Sequence, residues 1–492
     1  ELIEWRKFFY MKNNLKQNQI AQTPPKFVAK MANIVLVLGA LLSFLIVMFA
    51  FYRMYNPIVD SLMGNKAMEK FYFNCSIFGG VLVVLFGLGL RLNSELKVNI
   101  SIMLITIGVS FYGLETYLEF SRKPLQTRKM KAEKLGISYD TRTTMELLQE
   151  FKESGVVVYP AIKPQGFIPS DGLKNKTIFP IGGISNSKAV LLNEAGFYPI
   201  IETDEHGFNN PKGYYDKNKA TILLTGDSFT EGYSVHQGET LRANLTKLGL
   251  NTISIGKGGN GPLIEFAAIK EYGKPLKPKV VLWMYFMNDI PDLKSEIGSP
   301  FLNQYLSEED FSQSLISRQD EIDSILKIYV QGEWDKGWEK EKELKRKQEI
   351  DKIANNSVLR ILKFVNLRAK VNLTPQPQPL YDKELLVFKK ILKNSKQIVS
   401  GWGGKFYFVY LPWIDRYLNK ENEKFQETVL QSATELDIPI IDIHKEVFSI
   451  HPDPISLFPL RTHGHYTGEG YRLVAEAVAK RLDADGLLVS SK

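Results

Sequence analysis

Hydrophobic positions along this 492-residue chain fall into two regimes. Near the start, Met31 to Tyr52 runs 22 residues without a charge, Phe71 to Leu90 runs 20, and Val98 to Leu114 runs 17. A bilayer core of ~30 Å takes about 20 helical residues, so the pattern predicts three transmembrane helices over about 31–52, 71–90 and 98–117. A cleavable signal peptide does not fit. Thirty residues precede the first run, the run is too long, and no A-x-A site follows it. Residues 1–32 read as a basic tail in which Leu2, Ile3, Trp5, Phe8 and Phe9 share a helical face suited to a membrane interface.

Beyond residue 215 the period changes. Short apolar runs at 220–226, 251–256, 279–286, 405–412 and 439–443 are bounded by turn residues, with helical patterns between most of them. Continuous apolar strands alternating with helices predict a mostly parallel sheet covered on both faces, an α/β/α three-layer domain over 216–485. Its site belongs at the carboxyl ends of the strands. Residues 121–215, rich in Lys, Pro and Gly, read as a linker leading into this domain. The third and fourth runs lie about 120 residues apart, too far for one crossover. A helical insertion is therefore expected over about 292–380. Its charged stretch 331–352, with Glu341–Lys345 and Glu343–Lys347 at i,i+4 spacing, reads as a solvated face or a docking arm marked by Trp334 and Trp338.

Charge and cysteine narrow the partners. The net charge is +8, but the basic residues are scattered, with no basic arm or zinc-finger spacing, so nucleic acid is not an expected partner. A membrane with anionic headgroups accounts for the excess. One cysteine, Cys75, rules out an intrachain disulfide and any CxxC metal site. Six Lys/Arg precede the first span, which favours the N-terminus inside and the large domain extracytoplasmic, as in a bacterial inner-membrane protein.

The candidate chemistry sits at the strand ends. The first strand runs into GDSFTEG, which presents the Ser228 hydroxyl at a strand-to-helix turn where a nucleophile needs exposure, a base and nearby donors. With ISIGKGGNG, YFMNDIPD and HGHYTGEGY in the same order, the chain resembles the SGNH (GDSL) hydrolase family over about 200–485. The resemblance implies a flavodoxin-like domain with Ser228 as nucleophile, Asp227 as its neighbour and His465 as base. It also implies an oxyanion hole from the N–H groups of Ser228, Gly259 and Asn288. Two positions depart from the family pattern: Met287 replaces a glycine, and Thr462 stands where the acid three residues before the histidine is expected. The reading is therefore a Ser–His dyad, or a histidine oriented by Thr462, by a backbone carbonyl, or by a carboxylate from elsewhere such as Asp453. His463 and His465 with His451 or Asp453 form only a weak metal pattern, so no metal or cofactor is expected.

Two functions follow. One is a membrane-anchored serine ester hydrolase or O-acyltransferase, for which the resemblance implies acylated cell-surface glycans or lipids as substrates; transfer would need a donor-delivering membrane partner. The other is an SGNH-fold subunit, weak or inactive, that docks within a larger membrane protein complex.

Overall fold

The computed structural model describes residues 24–56, 65–121, 127–174, 176–215, 221–354, 356–371, 381–418 and 423–487. The expected interfacial tail lies largely outside them. The chain forms two compact units, one from Glu1–Pro124 with Lys347–Leu380, the other from Leu125–Arg346 with Tyr381–Lys492.

In the first unit three helices are long and apolar enough to cross a membrane: α1 (Lys26–Tyr55), α2 (Asn65–Gly89) and α3 (Ser94–Phe120). The first begins inside what reads as a tail, because Pro25 starts it and Lys26 and Lys30 ride on its opening turn. Most of their apolar side chains face outward, the reverse of a soluble core and what a lipid solvent requires. Helices α1 and α2 pack antiparallel through small residues. A Cβ on Gly39 would fall 2.5 Å from Phe86, and one on Gly79 would fall 2.8 Å from Val47. The Ser101 hydroxyl of α3 donates to the Ala32 carbonyl at 3.3 Å, so a polar group inside the bundle is satisfied.

The second unit carries a five-stranded sheet: β4 (Ile222–Gly226), β5 (Thr252–Ser254), β6 (Val280–Tyr285), β7 (Lys405–Tyr410) and β8 (Ile440–Asp442). Every pairing is parallel and the order is β5-β4-β6-β7-β8. This 2-1-3-4-5 arrangement is the flavodoxin-like doubly wound topology, with its switch point between β4 and β6. Alternate side chains serve opposite faces. Leu223, Val281, Trp283 and Phe408 join Ile264, Ile269 and Phe388 on one side. On the other, Leu224, Leu282, Met284 and Val409 join Leu245, Tyr471, Val474 and Val478. The sheet is buried on both faces, which is why its strands read as unbroken apolar runs.

Residues 127–215 are not a linker. They fold onto the sheet domain with a small three-stranded sheet, β1 (Val158–Pro160), β2 (Lys188–Val190) and β3 (Ile200–Glu202), and bury Phe167, Ile178, Phe179, Ile181 and Phe208. Strands of three residues separated by Pro and Gly leave too little periodicity to read. The insertion contains α4 (Gln319–Ala354), 36 residues long. Its charged stretch is partly docked: Trp334 packs beside Lys152, 4.8 Å from the ring centre, and Glu341 accepts from Thr143 at 2.8 Å.

Candidate active site

The turn after β4 is built around Gly226. Its φ is +156°, close to ordinary extended backbone, so the close approach decides: a Cβ would fall 2.2 Å from the Thr230 hydroxyl and 2.9 Å from the Met284 carbonyl. Asp227 caps the helix Ser228–Glu231, accepting the Phe229 N–H at 2.9 Å. Ser228 is the first helical residue, so its N–H has no carbonyl to meet within the helix.

His465 reaches this turn from the loop before the helix Gly468–Ala484, which Thr467 caps through the Gly470 N–H. Tyr466, fully buried, ties that loop to the end of β7 by donating to the Pro412 carbonyl at 2.7 Å. The His465 Nε2 lies 2.7 Å from Ser228 Oγ. Its other ring nitrogen, Nδ1, lies 2.6 Å from Glu194 Oε2. The same oxygen accepts the His465 backbone N–H at 3.0 Å and the Ser234 hydroxyl at 2.5 Å.

The ring is therefore oriented by an acid, and the acid is Glu194. It is a carboxylate from elsewhere in the chain, but neither Asp453 nor Thr462 fills that place. Asp453 is spent on an exposed pair with Arg461 at 2.7 and 2.9 Å, and the Thr462 N–H turns to the Pro459 carbonyl. Glu194 is almost fully buried. Burial alone would raise its pKa, but the facing His465 charge and the His465 and Ser234 hydrogen bonds prevail and hold it at about 2. Arg128 braces the arrangement from outside, donating to the Asn193 and His463 carbonyls at 3.3 and 3.0 Å and pairing with Glu194 Oε1 at 3.5 Å.

The remaining expected groups converge from β5 and β6. Asp227, buried, has its carboxylate 3.3 Å from Ser228 Oγ and beside the Asn288 amide. Burial pushes its pKa up, against the pull of His465 and the Phe229 N–H. The loop after β5 is pinned to the nucleophile's own helix. Glu231 accepts the Gly258 N–H at 2.6 Å and pairs with Lys257 at 2.5 Å, both side chains buried. Gly259 takes φ +80°, the left-handed region that glycine enters without strain. Asn288 donates its amide to Asp292 at 2.8 Å, and Asp292 also accepts from Gln165 at 2.6 Å. Gln165 packs over Gly259, so one chain of contacts links the two loops. Burial raises Asp292 to about 6 despite these two donors. Met287 is exposed beside Asn288.

A parallel 2-1-3-4-5 sheet has placed a serine after its first strand, a glycine loop after its second, and an asparagine after its third. A histidine backed by a carboxylate completes the set at the switch point.

The sheet is flavodoxin-like, and Ser228, His465 and Glu194 meet at its switch point.

No family model and no curated protein matches the chain. Solved structures similar to it include a lipase/acylhydrolase from Enterococcus faecalis, 11% identical over 54% of this chain and 96% of that one, at a TM-score of 0.30. Another is an acetyl-xylooligosaccharide esterase mutant from Geobacillus Stearmophilus, at 13%, 53%, 93% and 0.29. A GDSL-like lipase from Bacteroides thetaiotaomicron gives 13%, 55%, 91% and 0.25.

His463 is not placed with His465. Its ring meets Asp415 at 2.6 Å and packs edge-on to Trp413, so the two histidines serve different partners. Glu194, Gln165 and Asp292 escape a reading by motif. The first two lie in the apparent linker. Asp292, four residues after Asn288, is visible only as one helical turn of spacing.

Proposed function

We propose that the soluble domain is a membrane-anchored serine ester hydrolase whose catalytic residues are Ser228, His465 and Glu194. The observation that carries this reading is the unbroken chain Ser228–His465–Glu194, with contacts of 2.7 and 2.6 Å. Ser228 Oγ attacks the ester carbonyl carbon while His465 Nε2 takes its proton. The carbonyl electrons move onto oxygen, which faces the N–H groups of Ser228, Gly259 and Asn288. One such donor is worth ~3 kcal/mol of barrier. Collapse of the intermediate breaks the ester C–O bond, His465 returns the proton to the leaving alcohol, and an acyl group remains on Ser228. Glu194 holds the imidazole in the tautomer with Nδ1–H and stabilises the imidazolium at both transition states.

Water then releases the acyl group as a carboxylic acid; a hydroxyl of a glycan or lipid headgroup would instead carry it away as a new ester. The resemblance, together with three helices long and apolar enough to cross a membrane in the same chain, supports acylated surface glycans or lipids as the substrate class. The four basic residues ahead of α1 and the two on its opening turn support an extracytoplasmic domain. Against the docking-subunit reading stands Glu194 itself. A buried carboxylate is costly, and all its partners here serve the histidine loop or the helix next to Ser228.

The test is turnover of 4-nitrophenyl acetate by full-length protein in detergent. Wild type should show a burst equal to the enzyme concentration followed by steady hydrolysis, and Ser228→Ala should show neither. A wild type that neither hydrolyses short acyl esters nor forms a Ser228 adduct would overturn the proposal.

A further inference from the structure

Residues 356–371, NSVLRILKFVNLRAKV, hold four basic side chains and no acidic one. In the membrane unit they form two short helices, α5 (Ser357–Leu362) and α6 (Val365–Lys370), bent at Phe364, whose φ is +50°. This elbow is fastened to the end of α3. The Phe364 and Tyr112 ring centres lie 4.3 Å apart. Glu115 accepts the backbone N–H groups of Asn366 and Leu367, each at 2.8 Å. Glu119 accepts from Arg360 and from the Asn366 amide, each at 2.9 Å. Two carboxylates at the end of a transmembrane helix are thus answered by a segment more than 240 residues away.

Those contacts set the depth of the elbow. The charge-free run Val98 to Leu114 rises about 26 Å at 1.5 Å per residue, close to the ~30 Å hydrocarbon core. Glu115 therefore stands at the edge of the hydrocarbon and Glu119 one turn further out, among headgroups. The same end of the bundle carries Arg53 donating to the Tyr72 hydroxyl at 3.3 Å, a pairing of residue types suited to an interface.

The elbow keeps a second surface uncovered. Val358 and Leu362, one turn apart, are 64% and 57% exposed, and Lys363, Arg368 and Lys370 are exposed beside them. We propose that the elbow lies in the headgroup layer of the bilayer that its own unit spans. Val358 and Leu362 enter the outer acyl region, and Lys363, Arg368 and Lys370 meet the phosphates of anionic lipids. Continuity with the transmembrane helices selects lipid as the occupant: a segment held at headgroup depth by Glu115 and Glu119 already has a bilayer at its level. The charge agrees, since Arg360 answers Glu119 while Lys363, Arg368 and Lys370 stay exposed, and three cations suit an anionic surface.

The test uses full-length protein in nanodiscs. Leu362→Cys in a Cys75→Ser background is labelled with an environment-sensitive fluorophore, and quenching by nitroxide lipids is measured at three depths. The proposal expects blue-shifted emission, quenched about twofold or more by a nitroxide near the headgroup and less by one at the bilayer centre. It also expects stronger quenching in discs containing anionic lipid than in purely zwitterionic ones. That difference should disappear in the combined Lys363→Glu, Arg368→Glu, Lys370→Glu variant. Water-like, unquenched emission overturns the proposal, and so does blue-shifted emission without lipid quenching, which would mean that protein covers the elbow. Quenching that ignores lipid charge in both proteins overturns the headgroup contact.

Discussion

The strand ends of the sheet and the segment 127–215 contribute to one site in opposite ways. The strand ends supply Ser228, the Gly259 loop and Asn288 from short local patterns, each a turn that follows an apolar strand. The segment supplies Glu194 and Gln165 from stretches with no periodicity and no motif, and both matter only through contacts made across the fold. The difference separates two kinds of candidate site residue. Groups that react sit where backbone geometry creates exposure and free N–H donors, and that geometry leaves a local signature. A group that only orients another can come from any element able to reach it. The carboxylate that faces His465 comes from a different part of the chain than the histidine's own loop, where Thr462 stands.

Substitutions can break this comparison, and the largest effect belongs to the reacting group. Ser228→Ala should abolish ester turnover, a loss of about 10⁴-fold or more, with folding unchanged by circular dichroism. Glu194→Gln should cost about 10³- to 10⁴-fold in kcat with little change in KM, because the amide can hold the ring but cannot stabilise imidazolium. Asp453→Ala, at the other carboxylate considered for orienting His465, should leave kcat within about twofold, since that side chain is bound to exposed Arg461. Asn288→Ala should lower kcat by about 10²- to 10³-fold through one lost oxyanion donor.

A smaller effect sharpens the role of the upstream segment. Asp292, which joins Asn288 to Gln165, has a folded pKa of about 6, above the ~3.9 of an unfolded aspartate. The folded state therefore holds the extra proton between those values, and stability falls as pH rises through that window. Asp292→Asn removes the buried charge, so it should unfold later than wild type at pH 7.5, by about 1–2 kcal/mol once a lost hydrogen bond is set against the gain. The gain should vanish near pH 4. Activity should move the other way, by about tenfold, since Asn288 loses part of what holds its amide. Thermal melts at both pH values, with initial rates, check the pair of effects.

Much of the architecture is legible in the amino-acid order. Three charge-free runs announce the membrane helices, and five apolar runs announce a parallel sheet buried on both faces, because burial on both sides erases alternation. The triad acid is not legible. The absence of an acid at Thr462 implies that another group turns to His465, but 54 acidic residues are available and no spacing rule selects among them. Residues 127–215 hide for a related reason: strands of three residues between turns carry no period, although Phe167, Phe179 and Phe208 are core residues. The part of the insertion that returns to α3 is invisible in the same way, since the partners of Glu115 and Glu119 lie so far along the chain.

The most direct test of the account is the rate at which a fluorophosphonate labels full-length Glu194→Gln, compared with wild type and with Ser228→Ala, at pH 7.5. The account predicts rapid labelling of wild type, none of Ser228→Ala, and labelling of Glu194→Gln slowed by at least about 10²-fold. A Glu194→Gln protein that labels at the wild-type rate would show that His465 works without its acid, and would contradict the central claim.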